Sequence, residues 1–147
     1  MNRSDIEEVA NRLIAAMESA DDEQLRLATA ADIEYSDRTT GAHAVGHDKY
    51  IRVWQRSQHL ARKQGDHVQF QPVNWTIDEA SGTAAAQLIL RQSRANGDLA
   101  VHGSIFITVH DNGQHVQSFA IQHSSRPIDD VGYGNCIFCR SEDEPGG

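Results

Sequence analysis

This sequence of 147 residues has little of what would settle its class at a glance. It holds two cysteines, Cys136 and Cys139, so nothing before position 136 carries a thiol. It is short of positive charge. Thirteen Lys and Arg stand against 21 Asp and Glu, a net charge of −8, with no basic cluster. That balance argues against nucleic acid and against an anionic membrane surface as partners. No apolar run approaches the roughly 18 residues of a spanning helix. The opening Met-Asn-Arg-Ser-Asp lacks the apolar core of a signal peptide, so a cytoplasmic location is the expectation. There are no internal repeats. Apolar residues make up 39%, an ordinary share, and the length suits one domain with a real core.

What the chain does have is a strongly patterned stretch from 99 to 123. Val101, Gly103, Ile105, Ile107 and Val109 alternate with His102, Ser104, Phe106, Thr108 and His110. A period of two marks a strand with one apolar face. Asp111-Asn112-Gly113 supplies a turn, and Val116, Phe119, Ala120 and Ile121 lie on the returning strand.

Ahead of this hairpin the pattern is helical. Ser4-x-x-Glu7 reads as a capping box, followed by Ile6, Val9, Ala10, Leu13, Ile14, Met17 and Ala20 at helical spacing. Asp21 and Asp22 open a short second helix. Residues 31–37 read as a strand with Ile33, Tyr35 and Asp37 on one side, and 38–46 as a loop. A long helix over 47–64 carries Tyr50, Val53, Trp54, Ser57, Leu60 and Ala61 on its inner stripe, with Gly65 as its stop. The charges Lys49, Arg52, Arg56, Arg62 and Lys63 read as a solvated face. From 67 to 78 an alternating strand slips phase at Pro72, which suits a bulge or an edge. Residues 83–92 form another strand. Helices gathered before an antiparallel meander predict an α+β domain over 1–126, with residues 127–147 as a C-terminal extension or tail.

This layout resembles the nuclear transport factor 2-like superfamily, and within it the SnoaL-like polyketide cyclases and scytalone dehydratase. The likeness spans about residues 5–124. It rests on the first helix, the phrase Ala31-Asp32-Ile33-Glu34-Tyr35-Ser36-Asp37, the helix from 48 to 60, Asn74-Trp75-Thr76-Ile77-Asp78, and 106–110 with its Asp111-Asn112-Gly113 turn. The resemblance implies a cone: a strongly curved antiparallel sheet, an α+β barrel, wrapped around the N-terminal helices and open at one end onto an apolar pocket. It also implies a homodimer formed through the outer sheet face. Chemistry varies across this fold, so the fold does not name a reaction.

Residue by residue, Tyr35 matches a first-strand tyrosine of scytalone dehydratase, and His102 a histidine early in its penultimate hairpin strand. His67 is the nearest candidate for its second histidine, one residue out of step with Trp75. Met17 stands where its other tyrosine would be. Asp37 lies near the carboxylate base of ketosteroid isomerase, although direct alignment puts Tyr35 there. The second acid of that isomerase has no counterpart, since Ser104 or Ile105 occupies its place. The Asp-Arg-Asp set of the epoxide hydrolases is absent.

The chemistry expected is general acid/base catalysis without a cofactor: isomerisation, dehydration or cyclisation of a small apolar molecule, cyclic or polyketide-like. A carboxylate such as Asp37 in a dry cone, or a histidine such as His102, takes the proton. Tyr35 donates to a developing enolate oxygen. Trp54, Trp75, Phe106, Tyr50 and His123 are the candidate substrate-binding residues. The rival reading is a non-catalytic ligand-binding or dimerisation module, in which Asp37 caps a loop and the rings are core. His43-x-x-x-His47 has ligand spacing, but Gly41 and Gly46 interrupt the helix it needs, and no metal is expected. Cys136-x-x-Cys139 reads as free thiols in a tail, as a disulfide, or as half of a zinc site.

Overall fold

The computed structural model describes residues 1–95 and 97–124. The 127–147 extension, with Cys136 and Cys139, lies outside them. Three helices, α1 (Arg3–Ser19), α2 (Asp22–Ala28) and α3 (His47–Gln64), accompany six strands: β1 (Thr29–Asp37), β2 (His43–Val45), β3 (His67–Asp78), β4 (Thr83–Ser93), β5 (Leu99–Val109) and β6 (Val116–His123). They form one sheet in the order β2-β1-β6-β5-β4-β3.

The meander from β3 to β6 is antiparallel, as expected, but β1 runs parallel to β6. The sheet is therefore mixed. It is also open, because β2 and β3 are its two edges. The parallel pair follows from the chain order: β1 enters before α3 and the whole meander, so β6 returns beside it by a long connection rather than a hairpin. The 38–46 segment, expected as a loop, contains the short strand β2, whose residues 43–45 pair with Glu34–Ser36.

Helix α1 buries Ile6, Val9, Ala10, Leu13, Ile14 and Met17 against the sheet, the stripe its spacing predicts. Its start lies two residues earlier than the Ser4 capping box implies. Asn2 is the N-cap, its side chain accepting from the Asp5 N–H while the Asp5 carboxylate accepts from the Asn2 N–H. At the other end, α3 satisfies carbonyls that α1 leaves without helical partners. Trp54 Nε1 donates to Met17 O at 3.0 Å, Gln55 Nε2 to Ala20 O at 3.1 Å, and the Arg62 guanidinium to Ser19 O. These bonds clamp α3 across the C-terminus of α1 and set the ring of Trp54 under the sheet.

Of the two readings at Pro72 the edge holds, since β3 is an edge strand on which Pro72 pairs regularly with Leu88, while the bulge falls between Val73 and Thr76. Asn74 there takes a positive φ of 54°, which asparagine tolerates better than most side chains. Before the bulge Phe70 faces inward. After it Trp75 and Ile77 pack partly buried against the core, while Val73 faces out.

Candidate functional site

On β1, the period of two puts Ile33, Tyr35 and Asp37 on the inner face. Ile33 and Tyr35 are buried, and Asp37 is half-buried at the strand end. In the β1–β6 register Tyr35 lies opposite Phe119 and Asp37 opposite Ile121. The Tyr35 ring packs on Tyr50, Trp54 and Phe119, with centroids 5.6, 6.0 and 5.0 Å away. Phe70 extends this group against Trp54 at 5.5 Å.

Where these aromatics meet the end of the sheet, a cavity of about 100 Å³ opens. Its polar lining residues are Tyr35, Asp37, Thr40, Ser57, Gln58 and His123. Val53, Trp54, Phe70, Leu90 and Ile121 form most of its apolar wall. Among the described residues Asp37 is its one carboxylate, and neither lysine nor arginine lines it.

The tip of β1 is shaped by local hydrogen bonds. Asp37 Oδ1 accepts from the N–H groups of Thr39 at 2.8 Å and Thr40 at 3.2 Å. Gly41, at φ +79°, lets the chain turn back toward β2. Thr39 then ties the turn to β6: its hydroxyl donates to His123 O at 3.1 Å and accepts from His123 N–H at 2.8 Å. His123 Nδ1 donates to the Ser124 carbonyl at 2.9 Å. Among the described residues Asp37 Oδ2 has no hydrogen-bond partner, and the Tyr35 hydroxyl has none either.

Burial pushes the Tyr35 hydroxyl pKa well above its ordinary value, and the nearby Asp37 carboxylate adds to the shift. The group therefore stays protonated, a donor throughout the neutral range. Tyr50 is pushed up in the same way, by burial first and then by Tyr35. Its hydroxyl is buried with no partner among the described residues.

The cavity thus gathers Tyr35, Asp37, Trp54 and His123 of the residues singled out from the sequence. It does not gather the others. Tyr50 is fully buried behind Tyr35 and Phe119 and does not reach the cavity. His102 faces away, exposed on the outer side of the sheet, where it lines an open groove with Arg38, Gln87 and Gln122. Phe106 shares that outer face and is 53% exposed. The reason is strand parity: Val101, Ile105, Ile107 and Val109 are buried on the core side of β5, so His102 and Phe106, at the even positions between them, point outward. Trp75 lies beyond the β3 bulge, beside the first turns of α1, with Nε1 donating to Asn11 Oδ1 at 2.9 Å. His67, at the start of β3, is exposed. His43 and His47 turn to separate partners, the Glu34 carboxylate at 3.5 Å and the Thr29 carbonyl at 3.0 Å.

Sequence reasoning missed Gln58, Phe70 and Leu90 as lining residues. Gln58 carried a usable signal: it lies four residues after Trp54 and eight after Tyr50, a polar side chain on an otherwise apolar helical stripe.

No family profile and no curated protein matches the sequence. Solved structures do match the fold. A Shewanella denitrificans protein assigned as a SnoaL-like polyketide cyclase superposes with a TM-score of 0.68 at 16% identity, covering 85% of this chain and 94% of its own. A Catenulispora acidiphila protein with a ketosteroid isomerase-like fold, in complex with trimethylamine, gives 0.69 at 15% identity, covering 87% and 95%. A Xanthomonas campestris protein assigned as a polyketide cyclase gives 0.66 at 17%, covering 84% and 93%. The chain has the nuclear transport factor 2-like α+β cone fold. Among its described residues, no helix is long and apolar enough to cross a membrane.

Proposed function

We propose that this protein is a cofactor-independent enzyme that moves a proton on a small carbonyl compound held in the cone cavity. Asp37 takes a proton from the carbon beside the carbonyl, through its uncommitted Oδ2. Tyr35 donates to the oxygen as negative charge develops there. The two residues are two apart on one strand face, so their attachment points are about 6–7 Å apart at 3.2–3.4 Å per residue. A carbonyl group and its neighbouring carbon fit between them. His123 and Gln58 orient the substrate at the mouth and against α3. Isomerisation, dehydration and cyclisation all begin with such a step. The observation that carries this reading is that Tyr35 and Asp37 line one cavity. His102 has no part in it.

The test is deuterium incorporation. Small ketones incubated with the protein in D2O should exchange protons beside the carbonyl faster than in buffer, followed by NMR. Exchange unchanged by Asp37→Asn and by Tyr35→Phe would overturn the assignment.

A non-catalytic binding module is the second reading. It is favoured by the Asp37 hydrogen bonds to Thr39 and Thr40, which a residue that merely closes a turn would also make. The trimethylamine in the Catenulispora relative of this fold suits it too, since a carboxylate among aromatic rings also suits a small organic cation. For either reading we propose a cytoplasmic homodimer that binds neither nucleic acid nor membrane. Its interface would be the outer sheet face, where Phe106 and Val73 are exposed beside Ala85 and Ala120. Sedimentation that stays monomeric at high concentration would remove the dimer.

A further inference from the structure

The cavity is small for a ring system. An apolar cavity of about 150 Å³ holds one benzene molecule, whereas this one is about 100 Å³. Its wall on the β4 side is Leu90, which is 1% exposed and pairs across the sheet with Phe70 on β3 and Val101 on β5. A Cβ placed on Gly103 would lie 2.5 Å from Leu90 Cδ1, 2.7 Å from Gln122 O and 3.3 Å from His123 Cβ. The Leu90 methyl therefore occupies the space that a side chain at 103 would take. It reaches over Gly103 on β5, whose neighbour across the β5–β6 pair, His123, also lines the cavity. Glycine at 103 is required by this close approach, since one of the three neighbours is backbone.

We propose that the cavity accepts only a compact, acyclic part of its carbonyl substrate, smaller than a benzene ring, and that Leu90 lying over Gly103 is the residue that sets this size. The choice of a carbonyl compound rests on the function proposed above; the size limit rests on the packing alone. Shortening Leu90 joins the volume above Gly103 to the cavity and admits a ring. Fused-ring substrates of the polyketide kind are then excluded from the wild-type cavity, whatever the chemistry done there.

The two tryptophans provide an internal control. Trp54 lines the cavity, and Trp75 lies beside α1 away from it. The full-length 15N-labelled protein is titrated with butanone and with cyclohexanone, following both indole N–H signals by NMR. Butanone should shift the Trp54 signal saturably and leave Trp75 still. Cyclohexanone should bind the wild type at least about tenfold more weakly, the scale on which apolar pockets discriminate by size. In Leu90→Val, and more so in Leu90→Ala, that ratio should fall or reverse. Leu90→Val keeps the comparison available if the alanine variant does not fold. Equal binding of both ketones by the wild type overturns the proposal. So does a ratio untouched by the Leu90 substitutions, or no Trp54 shift with butanone. Size selection that persists while Asp37→Asn leaves proton exchange unchanged would sink the catalytic assignment and leave this limit standing.

Discussion

Phe106 and Ile107 are chain neighbours on β5 with opposite fates. Ile107 is fully buried against the helices, and Phe106 is 53% exposed on the other side of the same sheet. The same division separates the candidate chemistry. Tyr35 and Asp37 come to the inner side, where rings exclude water and a hydroxyl is held protonated by burial, while His123 at the rim lines both the cavity and the outer groove. His102, Arg38 and Gln122 come to the outer side, in a groove open to solvent. A low-dielectric enclosure strengthens a charge or dipole aimed at a reacting atom, and an open groove does not. One sheet therefore offers two polar surfaces, one enclosed and one open, and the proposed proton transfer belongs to the enclosed one.

The largest expected contrast lies between the two candidate bases. Asp37→Asn should lower proton exchange by about 10²–10⁴, the usual range for a general base, whereas His102→Ala should leave it within about twofold of wild type, as expected of a surface position. Rates measured side by side on one ketone decide this, and an equal loss in both would erase the distinction between the faces.

Stability should divide in the same way. Ile107→Ala should cost about 2–5 kcal/mol by emptying core volume. Phe106→Ala should cost under about 0.5 kcal/mol in a monomer. Urea melts of both variants check this, and a large loss at Phe106 that grows with protein concentration would mean that a second copy covers the outer face.

The buried hydroxyl of Tyr50 sharpens the inner side. With no partner among the described residues it carries an unmet desolvation cost. Tyr50→Phe should therefore stabilise the fold by about 1 kcal/mol, the low end for an unsatisfied buried group. A destabilised variant would reveal a partner for that oxygen.

The smallest effect is in the alkaline limb. Folded Tyr35 and Tyr50 hold their protons above the ordinary tyrosine pKa, so the unfolded chain deprotonates first. Stability from these groups is intact below about pH 10, the unfolded value, and falls as pH rises above it. Tyr35→Phe should flatten that fall in chemical denaturation measured between neutral and alkaline pH. An unchanged slope would mean that Tyr35 is not held as dry as its burial implies.

Much of this was legible in the residues. The α1 stripe, the inward set Ile33, Tyr35 and Asp37, and the alternating face of β5 follow from spacing alone. Parity even contained the correction for His102: if Ile105 and Ile107 face the core, position 102 cannot. What spacing leaves open is the choice between equivalent local signals. Ser4-x-x-Glu7 and Asn2-x-x-Asp5 both have capping spacing. The second is realised where Arg3 also meets β3, its N–H donating to Glu79 and its guanidinium to Trp75 O. The β3 bulge was displaced likewise, from Pro72 to Asn74, and carried Trp75 away from the site.

By itself, then, the sequence determined which residues alternate, which helix face is apolar, and which polar groups lie on the inner side of β1. These are short-range consequences of strand and helix periods. Tertiary structure decided that β1 would run parallel beside β6, so that Asp37 and His123 meet at one rim. It also decided that Leu90 would lie against Gly103, beside a cavity of about 100 Å³. Such contacts join residues far apart in the chain, and their geometry depends on how whole elements pack, which no local period records.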